Sequence, residues 1–102
     1  METQRDLDQA SYSASLTAEK RVKAIIEKAS SALSSRPDAL ANLLSSQSDI
    51  ERYRDEHVKF VSVMAEGTIA PLLRNAAFEM LTSQRERALI SCFSDVLPDV
   101  IL

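Results

Sequence analysis

His57 and Cys92 are the only histidine and the only cysteine of this 102-residue chain. Together they could form a nucleophilic dyad, because a thiol becomes a nucleophile beside a base that takes its proton. That chemistry also needs an orienting third group and donors for an oxyanion, and nothing around either residue supplies them. At helical spacing His57 has Tyr53 and Val61 as neighbours, which is the setting of a partly buried helix residue. A structural zinc site wants four Cys or His ligands, and the chain has two such residues. A di-iron bundle wants Glu-x-x-His pairs, but the residue three before His57 is Arg54. Gly67 is the single glycine, too few for a phosphate-cradling loop or a dinucleotide fingerprint. Asp55 and Glu56 form a lone acidic pair next to Arg52 and Arg54, the pattern of a solvated helix face. The residues therefore predict a protein that is not an enzyme, with no catalytic residue, no metal and no cofactor.

A second constellation is basic. Lys20, Arg21, Lys23 and Lys28, followed by Arg36, meet only Glu19 and Glu27 nearby. Such a face can track phosphates. It can equally be the wet side of an amphipathic helix, with Glu interleaved for support one turn away. No aromatic residue interleaves with it for base stacking, and the net charge is −3 with a pI near 5.1. Nucleic-acid binding through Lys20, Arg21, Lys23 and Lys28 is accordingly the alternative reading.

The elements that carry these residues are helical. One glycine and three prolines leave too few turn formers for a strand-rich fold, and no period-2 alternation occurs. The fold class is all-α, a small bundle of four to five helices. Residues 1–16 are polar and Ser-rich, read as a flexible tail or a weak helix, ahead of a single helical domain over 17–102. The first helix spans about 18–34, with Thr17 as N-cap and Val22, Ile25, Ile26, Ala29 and Leu33 on one stripe. Pro37 disfavours helix at Arg36 and opens a short helix over 37–46. Ser48 and Glu51 form a capping-box pattern ahead of a helix over 49–66, whose Ile50, Tyr53, His57, Phe60, Val61 and Met64 recur at near-heptad spacing. Gly67 is the residue that ends it. Thr68 caps the next element, and Pro71 falls in its tolerated first turn.

Two apolar stripes follow, out of phase with each other. Ile69, Leu72, Leu73, Ala76, Ala77 and Met80 form the first, and Leu89, Ile90, Phe93, Val96 and Leu97 the second. Ser83 and Glu86 repeat the capping-box pattern at the changeover, so two helices over 69–82 and 84–97 account for both features. The rival is one continuous helix whose C-terminal half meets a second subunit. Phe78 and Leu81 make the segment 69–81 apolar almost all round, the mark of a central helix. Val58 and Val63 add surplus apolar surface to helix 49–66.

Apolar surface beyond what so few helices can cover predicts a protein–protein interaction module: an adaptor, a chaperone-like subunit or a regulator, self-associating as a homodimer. The contact residues expected are Leu89, Ile90, Phe93, Val96 and Leu97. The terminal DVIL resembles peptides that add a strand to a sheet edge, a weaker signal than a docked tail. A lone cysteine fits a reducing compartment. The N-terminus lacks a basic-then-apolar leader layout, and no apolar run spans a bilayer. These features predict a cytoplasmic location with no membrane partner.

Overall fold

Four helices and one short 3-10 turn follow one another in the computed structural model, which describes residues 3–101; there is no strand among them. The expectation of an all-α bundle of four to five helices holds, but the three long helices run past the predicted boundaries. Helix α1 runs Gln4–Ala32, α2 Pro37–Met64, α3 Ala70–Val96, and α4 is a single turn, Pro98–Ile101. The terminal Leu102 of the DVIL reading lies outside the described residues.

Each merger has a physical reason. Helix α1 starts at a capping box far upstream of Thr17. The Thr3 hydroxyl accepts from the Asp6 amide at 3.2 Å, and the Asp6 carboxylate accepts from the Thr3 amide at 3.2 Å. The serines that follow do not break the helix, because their hydroxyls return to its own backbone. Ser11 donates to the Asp8 carbonyl and Ser15 to the Tyr12 carbonyl, a local bond that helices tolerate. Thr17 does the same with Ser13, so it is an interior residue and not a cap.

Ser48 is interior to α2 and Ser83 to α3. Neither capping-box pattern is preceded by a Gly or Pro that would stop the incoming helix, so each stays latent. The proline signals behave as the sequence predicts: Pro37 opens α2 and Pro71 sits in the first turn of α3. Gly67 adopts φ +75 two residues past the Ala65 C-cap, in the left-handed region that glycine enters most readily. Thr68 belongs to the 3-10 turn, Gly67–Ile69, and supplies no side-chain cap to α3.

Helix α3 is the axis of the molecule, and α1 and α2 both pack chiefly on it. Asn75 donates to the Asp8 carbonyl and the Ser11 hydroxyl, while Arg21 pairs with Glu86 at 3.1 Å. Helices α1 and α3 therefore run in the same direction. Helix α2 runs opposite to them: Arg85 of α3 reaches Gln47, and Arg54 lies over Phe78.

The core is gathered at one end. Val22 and Ala29 of α1, Leu89 and Phe93 of α3, and Val100 of α4 are buried together, with Ile25, Ile26, Leu43, Leu97 and Ile101 packed around them. Toward the other end the seam between α1 and α3 narrows to small residues, Ser15, Ala18, Ala77 and Thr82. This explains the two out-of-phase stripes of α3. The second stripe meets α1 and α4 of its own chain, so neither a helix break nor a second subunit is required. No helix among the described residues is long and apolar enough to cross a membrane.

Candidate partner-binding surface

Most of the exposed large apolar side chains lie at the end opposite the core, Leu44 and Val96 being the exceptions. Along α2, Tyr53, His57, Phe60 and Met64 recur at i, i+4, i+7 and i+11, which aligns them on one helical face. Tyr53 is 62% exposed, Phe60 58%, Val63 79% and Met64 68%. The aromatic rings form a ladder: Tyr53 and His57 are stacked with centroids 6.3 Å apart, and His57 and Phe60 are tilted at 6.1 Å. Ile69, Leu73 and Met80 of the 3-10 turn and α3 are also exposed, as are Leu7, Tyr12 and Leu16 of α1. The contacts of Asn75 with Asp8 and Ser11 bring the start of α1 to this same end. Exposed ion pairs flank the ladder, Arg52 with Asp49 at 3.2 Å and Lys59 with Glu56 at 3.4 Å. An apolar and aromatic patch with a charged rim is the anatomy of a protein-binding surface.

The chain as a whole is more exposed than its mass requires. It exposes 6827 Å², whereas a compact monomer of this mass exposes about 5,700 Å². The shape agrees: the radius of gyration is 16.0 Å, against about 13 Å for a compact domain of this length.

The residues expected to meet a partner are placed differently. Leu89 and Phe93 are buried in the chain's own core, and Leu97 packs against it. Ile90 is half-buried, and only Val96 is freely exposed, at 65%. Leu89 and Phe93 show only an edge, in the wall of a groove between α2 and α3, so the stripe does not face outward as a unit. The physical reason is α4, whose Val100 turns back onto it after Pro98.

The basic quartet is exposed but partly neutralised. Lys23 pairs with Glu19 at 2.9 Å, and Arg21 with Glu86 at 3.1 Å. The Glu19 carboxylate, by hydrogen bond and charge, raises the Lys23 ammonium above the ordinary lysine range. His57 and Cys92 are not brought together. His57 belongs to the aromatic ladder, while Cys92 lines a groove shared with Leu33 and Arg36 near the opposite end. Among the described residues no cluster of His, Cys, Asp or Glu is suited to a metal ion.

Sequence reading found the spacing of the ladder residues but named Val58 and Val63 as the surplus of this helix. The near-heptad spacing is real, yet α2 turns only its Ile50, Arg54 and Val61 side inward and has no buried residue of its own. The available signal was the surplus: a helix with apolar residues on more sides than it has neighbours. Val63, half of the surplus noted on this helix, is its most exposed large apolar residue.

Residues 1–89 match the family model of the lysozyme inhibitor LprI. The chain belongs to the LprI family. The match spans α1, α2, the turn and most of α3, and so includes the whole exposed ladder. No curated protein and no solved structure gives a significant match. A family described as an inhibitor of lysozyme is one of non-catalytic proteins that bind a protein, in keeping with an interaction module.

Proposed function

We propose that this chain is a lysozyme inhibitor that engages the enzyme through the exposed end of the α2–α3 hairpin. Membership of the LprI family supplies the target. The observation that carries the surface is the ladder in which the half-buried His57 lies between the exposed rings of Tyr53 and Phe60, beside exposed Val63 and Met64. Aromatic anchors of this kind dominate binding energy at protein interfaces. The ladder stands on a regular helix, so its rings are held in place before a partner arrives, which lowers the ordering cost of binding.

Cell-wall lysis by purified lysozymes of different structural classes tests this directly. The expected result is dose-dependent inhibition of at least one of them, weakened about tenfold or more by Tyr53→Ala together with Phe60→Ala. Absence of both inhibition and binding for every class rejects the inhibitor. Inhibition that survives the double substitution keeps the inhibitor and rejects this surface.

Self-association belongs to the same proposal, because a second copy can cover the same ladder in the free protein. Light scattering reads it, and the double variant should shift any dimer to monomer. A monomeric wild type at high micromolar concentration removes the homodimer and leaves the inhibitor untouched. The cytoplasmic location expected from the sequence is a separate proposal, one that would keep the chain apart from a lysozyme acting on the cell wall. Fractionation of the native source decides it, and recovery outside the cytoplasm would reject it. Nucleic-acid binding by Lys20, Arg21, Lys23 and Lys28 gains no support, since Arg21 and Lys23 are already paired with carboxylates.

A further inference from the structure

A groove of about 410 Å³ opens between the first half of α2 and the second half of α3. Its walls are apolar, from Leu33, Leu43, Leu89, Phe93 and Val96. A shallower trough of about 250 Å³ continues from it along the same hairpin, and the two share Arg85 and Ala88. Arg85 therefore lies where they meet, its guanidinium reaching Ser46 on the wall of the larger groove, and Arg36 lines that groove as well.

Arg85 is unlike the other well-anchored arginines of the chain. Arg21 pairs with Glu86, Arg52 with Asp49 and Arg54 with Asp55. Arg85 is half-buried, yet its partners are neutral: Nε donates to Gln47 Oε1 at 2.8 Å, and Nη2 to Ser46 Oγ at 3.2 Å. No carboxylate among the described residues pairs with it, and three of its five N–H donors are unused. Burial pushes this guanidinium below the usual arginine range. A cation drawn partly out of water beside an apolar groove is matched by one ligand chemistry, an anionic head on an apolar body. The planar donors of arginine suit a carboxylate in particular, which they can grip with two parallel hydrogen bonds. The volume lies within the range of small-molecule sites.

We propose that the α2–α3 groove binds a fatty carboxylate, with the alkyl chain between Leu43 and Phe93 and the head group on Arg85. Tyr53 borders the trough that continues from this groove, but none of Tyr53, His57 and Phe60 lines the groove itself, and the proposal does not depend on the inhibitor reading. No covalent step is involved.

Cys92 lines the groove, is exposed, and is the only thiol in the protein, so its alkylation rate reports occupancy. Dodecanoate, kept below its micelle concentration, is the probe. Dodecyltrimethylammonium carries the same chain with the opposite charge and is the control. Saturable slowing of Cys92 alkylation by dodecanoate at one molecule per chain is expected, with no comparable effect of the cation. Arg85→Met should weaken dodecanoate binding about tenfold or more. Ala88→Trp is the second variant. Ala88 is an exposed helix position on the groove, so the substitution should leave helicity unchanged while blocking protection. Unsaturable protection, equal protection by the cation, or protection that persists in a folded Arg85→Met or Ala88→Trp protein would each overturn the site.

Discussion

Arg54 is the residue at which all three long helices meet. It belongs to α2, pairs with Asp55 on its own helix at 3.0 Å, and stands 3.9 Å from Glu19 of α1. Its guanidinium lies over the Phe78 ring of α3, 4.0 Å from the centroid. Its side chain is only 11% exposed, so the cation–π contact is partly desolvated and correspondingly stronger. Arg54→Ala should destabilise the fold by about 1–3 kcal/mol, read by denaturant unfolding, through lost packing as well as lost charge. Arg54→Lys should recover only part of that, because an ammonium does not stack as a planar guanidinium does. Thr82 gives the opposite prediction. Its hydroxyl is buried with no hydrogen-bond partner among the described residues, and an unmatched buried hydroxyl is unfavourable by roughly 1–3 kcal/mol. Thr82→Val keeps the shape and removes the polar atom, so it should raise stability by about 1 kcal/mol. A destabilised valine variant would show that the hydroxyl has a partner in solution.

At the scale of the helix, Ser83 separates two ways of building the C-terminal third of the chain. Were it an N-cap, Ser83→Ala would destabilise by about 0.5–2 kcal/mol. In the structure it is interior to α3, where alanine is the better helix former. Thermal unfolding of Ser83→Ala should therefore show no loss and a slight gain. The all-α class was legible in the sequence because scarce Gly and Pro bear on the whole chain at once. The Pro37 start and the Pro71 first turn were legible because proline geometry is local and obligatory. Helix boundaries at Thr17, Ser48 and Ser83 were misread because a cap is permissive: a Ser-x-x-Glu pattern can begin a helix but cannot end the one before it. Residues 4–16 were obscured by their serines, which look like loop until the Ser11 and Ser15 hydroxyls are seen to bond their own helix. The same limit applied to the site. Sequence periodicity showed which residues share a face, but which face finds a neighbour depends on where α1 and α4 pack.

Taken whole, the molecule is polarised, with its core at the α4 end and its unpartnered apolar surface toward the turn between α2 and α3. Two phenylalanines test that arrangement against each other. Phe93 is 5% exposed and packs with Val22, Ala29 and Val100. Phe60 is 58% exposed and belongs to the aromatic ladder. An aspartate at position 93 would place an unpaired carboxylate in an apolar interior, a penalty comparable to the whole stability of a small domain. Phe93→Asp should therefore lose its helical circular dichroism and its cooperative melt. Phe60→Asp changes a surface residue, where substitutions usually stay within about 0.5 kcal/mol, and should leave both signals intact. It should nonetheless weaken partner binding, because it puts a charge in the middle of the ladder. If Phe93→Asp instead gave a folded, soluble monomer, the stripe of Leu89 and Phe93 would be an intermolecular face, and the single-chain core described here would be wrong. If Phe60→Asp unfolded the chain, the ladder would be core and the surplus surface would lie elsewhere. The pair of variants thus assigns each end of the molecule its role by measurements that need no knowledge of the partner.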